Sequence, residues 1–226
     1  MNILDSIKTS IITPIHPAGI PFIALFLILT IIIGWFWTPL YYVGFTLTLW
    51  CIYFFRNPSR TTPTLSGSNK NNLIISPADG KIIEVSEVIP AEEIGLPKGK
   101  WKRVCIFMNV FDVHVNRSPM LGQITYKKYI PGSFLNASLD KASDENERLI
   151  LNMDADNGNK IAFVQIAGLV ARRIVTETSV DQDLKQGDRI GMIRFGSRAD
   201  IYFENYKPLV KVDQKMIAGE TLIAKR

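Results

Sequence analysis

The chain has 226 residues and a mass of 25.5 kDa, with 47% hydrophobic and 21% charged residues. That apolar share excludes a disordered chain. The two cysteines, Cys51 and Cys105, exclude a disulfide scaffold and fit a reducing compartment. The length suits one catalytic-size domain, or one domain plus an appendage. The net charge of +5 is unevenly spread. No charged residue lies between Lys8 and Arg56, and Asp5 cancels Lys8, so the whole excess belongs to residues 56–226.

The charge-free stretch divides at Gly34 to Pro39 (GWFWTP). Each half, with its flanks, approaches the ~20 residues that cross a bilayer. Trp35, Trp37, Tyr41 and Tyr42 cluster at the break, as in an interfacial aromatic belt. Lys8, Arg56 and Arg60 flank the outer ends, which places both on the cytoplasmic side. The expectation is a helical hairpin over residues 1–56 that spans or dips into the cell (inner) membrane. A signal peptide fits poorly, because the basic part is one lysine and the apolar part is long and bipartite. Lys127, Lys128, Arg172 and Arg173 are candidates for contact with an anionic membrane surface. No basic helix or aromatic stacking module is visible, so nucleic acid is not expected as a partner. The exposed apolar hairpin leaves room for a homo-oligomer.

Residues 57–72 (NPSRTTPTLSGSNKNN) have a linker composition. From Leu73 onward, short apolar runs alternate with turn signals: LIISPADGKIIEV, RVCIFM, IAFVQIAGLV, DRIGMIRFG, ADIYFE and TLIAKR. These predict strands. Ser138 to Ile150 is the best helix or ordered-loop segment. The fold expected over 73–226 is therefore mainly β, a small β-sandwich or barrel. Recurrent polar turns before apolar pairs, as in DLKQGDRI and DQKMIAGETL, resemble lipoyl- and biotinyl-type domains. Lys215 lies near such a turn, but without the Met-Lys tip of a carrier.

Of the two histidines, His16 lies in the apolar stretch and His114 in FDVHVNRSP. No His/Cys cluster has metal-ligand spacing, so no metal is expected, and no phosphate-binding glycine motif occurs. A serine nucleophile needs a base and a group that orients the base. His114 is the available base. Asp79 in SPADG can orient it, with Asp112 as competitor. Gly196-Ser197, in IRFGSRADIY, is the notable serine, because a glycine between two apolar strands buys unusual backbone geometry.

The order SPADG, FDVHVNRSP, KASDENERL, GLVARRIV and RFGSRADIYF resembles the pyruvoyl-dependent phosphatidylserine decarboxylases in their short bacterial and archaeal-like form. The resemblance covers nearly the whole chain. It implies self-cleavage at Gly196–Ser197 into a large chain ending at Gly196 and a small chain, 197–226, which stay associated. Ser197 then becomes a pyruvoyl group, the covalent cofactor, and forms a Schiff base with phosphatidylserine. Carbon dioxide leaves and phosphatidylethanolamine is released. His114 serves as base in maturation and as proton donor in turnover, with Asp79 behind it. Longer relatives carry a second histidine where this chain has Phe111, so a role given to that histidine does not transfer. Two other readings predict an intact chain. One is a membrane-anchored lipoyl-like adaptor without catalysis. The other is a serine hydrolase, which the missing GxSxG elbow disfavours.

Overall fold

The computed structural model describes residues 13–64, 72–138, 142–155, 157–169, 173–194 and 196–226. Part of the expected linker (65–71), Lys141, Arg172 and Phe195 lie outside this set, as do Asp5 and Lys8. The chain divides into two compact units, Met1–Ser59 and Arg60–Arg226.

In the first unit a 3-10 turn, Pro17–Gly19, leads into α1 (Ile20–Phe36), followed by α2 (Pro39–Phe54). A proline opens each helix, where its missing N–H costs nothing. The helices touch through small residues. A Cβ on Gly34 would fall 2.4 Å from the Tyr41 ring, and one on Gly44 would fall 2.4 Å from Thr30. Thr30 and Thr48 donate to the carbonyls of Phe26 and Gly44, so their hydroxyls need no water. At the open end His16 N–H donates to Phe55 O at 2.8 Å, and the Arg56 guanidinium lies 3.7 Å over the Tyr53 ring. Most of the remaining apolar surface is exposed, above all Trp35, Phe36 and Tyr42. Among the described residues only Pro17–Phe36 is long and apolar enough to cross a membrane; α2 is shorter.

The second unit is mostly β. The strands are β1 (Leu73–Ile75), β2 (Gly80–Val88), β3 (Trp101–Met108), β4 (Val115–Arg117), β5 (Gly122–Ile130), β6 (Arg148–Asp154) and β7 (Lys160–Ala167). There follow β8 (Ile174–Thr176), β9 (Asp183–Leu184), β10 (Arg189–Ile193), β11 (Ser197–Phe203), β12 (Lys207–Pro208), β13 (Lys215–Met216) and β14 (Leu222–Lys225). Eight strands form one antiparallel sheet in the order β13-β2-β3-β11-β7-β6-β5-β9. Two three-stranded sheets, β1-β14-β12 and β4-β10-β8, share its main core, which joins Ile74, Ile106, Phe163, Ile193, Ile201 and Ile223. The other face of the large sheet is covered too, by a cluster that includes Ile94, Trp101, Val164 and Tyr202. With cover on both sides, β11 and β7 are buried almost throughout; β7 is an almost continuous apolar run, whereas β11 also buries Ser197, Arg198 and Asp200. The mainly β fold behind an apolar helical hairpin agrees with the sequence.

One element differs. Among the described residues of Ser138 to Ile150, the helix covers Ala142–Glu145, and Arg148 already starts β6. The run RLILNMD pairs along its full length with β7, and ladder pairing overrides the local charge pattern.

Candidate active site

Gly196 stands between β10 and β11 at φ +50, in the left-handed region that favours glycine. It delivers Ser197 as the first residue of β11, opposite Met108 on β3 and Ala167 on β7. Ser197 is fully buried, and among the described residues its hydroxyl meets only the Met108 sulfur, at 3.9 Å. This serine is therefore only weakly held by hydrogen bonding. Past the end of β7, Gly168 presses against Gly196: a Cβ there would fall 2.0 Å from the Gly196 carbonyl oxygen. Asn146 holds this strand end, because its amide donates to Ala167 O at 2.7 Å and to Leu135 O at 2.8 Å.

His114, also fully buried, immediately precedes β4. Its Nδ1 lies 3.0 Å from the Asp112 carbonyl oxygen. A carbonyl only accepts, so Nδ1 carries the proton in the neutral ring and Nε2 is the basic nitrogen. The Asp112 carboxylate accepts from Asn109 N–H at 2.9 Å. The His114 carbonyl accepts from Ile193 N–H at 3.3 Å, which ties the histidine to the end of β10, four residues before Ser197. Two residues on, Asn116 donates to the Met108 sulfur that Ser197 meets, at 3.6 Å, and accepts from Gln165 at 2.7 Å.

Asp79 lies in the turn between β1 and β2. This turn abuts β4, because Pro77 O accepts from Arg117 N–H at 2.9 Å. The Asp79 carboxylate accepts from Arg60 Nη2 at 2.8 and 3.1 Å and from Ala218 N–H at 2.7 Å. The segments carrying Asp79, His114 and Ser197 thus converge on one region, linked through β4 and β10. Asn116, Asn146, Gln165 and Gly168 join them without having been singled out from the sequence, and so does Arg60, read there as a flanking charge of the hairpin. Only Gly168 carried a local sign, as a glycine closing an apolar strand.

On the opposite face of β11, Arg198 is fully buried and reaches Asp200 at 2.6 and 2.9 Å. The same guanidinium donates to the Cys105 sulfur at 2.8 Å. Beside it Arg103 binds Glu84 at 2.6 and 2.8 Å. Burial opposes the charge of Glu84, but hydrogen bonds from Arg103 and Ser86 and the two nearby guanidiniums hold its carboxyl below the ordinary range. Burial, reinforced by the Asp200 charge, pushes the Cys105 thiol up. Cys105 is thus buried within a polar network.

The charge-rich KASDENER run is likewise more than a solvated face. Asn146, Glu147 and Arg148 are buried, and Arg148 pairs with Glu93. Arg173 lies opposite Arg194 where the β8–β10 pairing extends, with Arg194 N–H donating to Arg173 O at 3.3 Å. Burial, then the Arg173 charge, lowers the pKa of Arg194. Arg194 lies three residues before Ser197. Lys127, by contrast, donates to Thr178 O.

A family model described as phosphatidylserine decarboxylase matches residues 47–224. A relative from Pelagibacter ubique (strain HTCC1062), named phosphatidylserine decarboxylase proenzyme, is 54% identical over 212 residues, covering 94% of this chain and 96% of the relative.

Proposed function

The chain belongs to the phosphatidylserine decarboxylase family, and from that membership we propose a proenzyme that cuts itself at Gly196–Ser197 and then converts phosphatidylserine to phosphatidylethanolamine and carbon dioxide. The observation that carries this reading is the Gly196–Ser197 junction: a left-handed glycine, a buried serine hydroxyl and Gly168 against the carbonyl to be attacked.

In maturation, His114 Nε2 takes the Ser197 hydroxyl proton, while the Asp112 carbonyl keeps Nδ1–H in place. The Asp79 carboxylate favours the cationic ring that results. The Ser197 oxygen attacks the Gly196 carbonyl, and the peptide C–N bond gives way to an ester. Loss of the Cα proton breaks the Cβ–O bond, releasing the Gly196 carboxylate and leaving dehydroalanine. Water then replaces the nitrogen, which departs as ammonia, and residue 197 is left as a pyruvoyl group.

The surroundings suit that group. Residue 197 starts a strand that is held on both sides, so a new chain end there stays in place. The neighbouring Ala167 and Gly168 place no bulky side chain beside it. When formed, the pyruvoyl group supplies the electron sink for decarboxylation. His114 holds a proton to return to the substrate α-carbon. Arg173 and Arg194 meet the substrate phosphodiester.

The apolar hairpin holds the enzyme at the cytoplasmic face of the membrane. Headgroup chemistry at the surface avoids extracting acyl chains, at ~0.8 kcal/mol per CH₂. The test is the intact mass of the purified chain under denaturing conditions. Two species are expected, one ending at Gly196 and one starting at residue 197, lighter than a serine-headed fragment by ammonia. A single uncut mass from a preparation that releases no carbon dioxide from phosphatidylserine overturns the reading.

A further inference from the structure

Asp79 is held from both ends of the chain. Arg60, the first residue of the second unit, places one guanidinium nitrogen 2.8 and 3.1 Å from the two carboxylate oxygens. Ala218, in the part of the chain that lies after the cleavage point, donates its N–H to Oδ1 at 2.7 Å. The ion pair is nearly buried, with 11% of the Arg60 and 13% of the Asp79 side chain exposed. A planar guanidinium in that setting sets both the charge and the rotation of a carboxylate, which a surface ion pair does not. The other charged groups around the pair belong to β4, β10 and the turn after β13. Arg117 feels Arg60, Arg189, Asp79 and Glu220, and Glu220 approaches Arg60 at 4.0 Å while accepting from Thr61 N–H at 3.1 Å.

We infer that Arg60 is a positioning residue for self-processing: it holds the Asp79 carboxylate in the orientation and charge that support His114, so that Ser197 reacts only once the segment after the hairpin and the C-terminal turn have both docked. The inference rests on the proposed roles of Asp79 and His114. It adds a requirement that cleavage wait for the chain's two distant ends, because Arg60 and Ala218 lie 158 positions apart, 218 − 60.

The test is the cleavage rate of the full chain, made by cell-free translation with phospholipid vesicles and then diluted into buffers from acid to alkaline pH. Arg60→Met should slow splitting by about tenfold or more. It should also move the acid limb of the rate profile to higher pH, because a carboxylate that loses its cation is protonated more readily. Arg60→Lys, which keeps the charge on a different stem, should recover part of the rate and restore the acid limb. Glu220→Gln should leave both unchanged. In the Asp79→Asn background, Arg60→Met should add no further slowing. Wild-type rate and profile in Arg60→Met, with Asp79→Asn stalled, overturn the role of Arg60 alone. Equal slowing by Met and Lys with an unmoved acid limb also overturns it, as a fold defect. Normal cleavage in Asp79→Asn overturns the inference through its premise, and is told apart because the single Asp79 variant reveals it.

Discussion

Gly168 approaches Gly196 so closely that a methyl group on Gly168 would stand 2.0 Å from the Gly196 carbonyl oxygen. No side chain of any kind fits between the end of β7 and the bond proposed to break. Gly168→Ala should therefore displace that carbonyl and slow cleavage by at least about tenfold, ~1.4 kcal/mol in the barrier. The fraction of uncut chain on a denaturing gel after a timed pulse reads this. Prompt, complete cleavage in the variant would show that the contact does not constrain the reaction.

Ser197→Ala should remain one intact chain, since alanine has no atom to attack Gly196. His114→Ala should slow splitting by on the order of 10²–10⁴-fold, the range for loss of a general base. Intact mass at successive times distinguishes the two, because the histidine variant yields fragments slowly and the serine variant yields none.

After cleavage the fragment from Ser197 onward should stay in place. Its first strand, β11, is the central strand of the large sheet and pairs with both β3 and β7 from Ser197 to Phe203. Its last strand, β14, lies between β1 and β12. Removing it would strip ladder hydrogen bonds from both neighbours and open the main core. The two fragments should co-elute under native conditions and separate only in denaturant; early loss of the small fragment would contradict this.

Glu84 links pH to stability. Its folded pKa is lowered from the ordinary 4.5, so its contribution is complete above that value and is lost as the pH falls through the folded value. Glu84→Gln should cost about 1–2 kcal/mol at neutral pH. The gap in melting temperature between variant and wild type should narrow below about pH 4. A gap independent of pH would mean that the Arg103 pairing does not stabilise the fold.

Arg194→Gln should raise KM for phosphatidylserine in mixed micelles by about tenfold while leaving kcat and self-cleavage near wild type, the signature of lost uniform binding. The same change should not affect a serine ester that lacks phosphate. An equal loss on both substrates would remove Arg194 from phosphate recognition.

Much of the candidate site was visible in the sequence because its signals are local. Gly196-Ser197 between apolar runs, a lone soluble-domain histidine and SPADG each stand within a few residues. The supporting groups carry no such mark. Asn146 and Arg148 sit in a charge-rich run that looks solvent-facing, yet they are buried because β6 pairs with β7 on one side and β5 on the other. Arg60 looks like a flanking charge of the hairpin until its distance to Asp79 is known.

The amino-acid order by itself determined the division into an apolar hairpin and a mainly β domain. Composition and periodicity act over windows of ten to twenty residues, and burial of those windows follows from their apolarity. It also marked Gly196–Ser197 as the candidate junction, where the backbone lies in the left-handed region that glycine adopts most readily. Only the tertiary structure decided what surrounds that junction. Gly168, the Asp112 carbonyl beside His114, and the convergence of Arg60 and Ala218 on Asp79 depend on strand order, which brings together residues far apart in the chain. No local pattern encodes a contact whose free energy arises only when both distant segments have already folded.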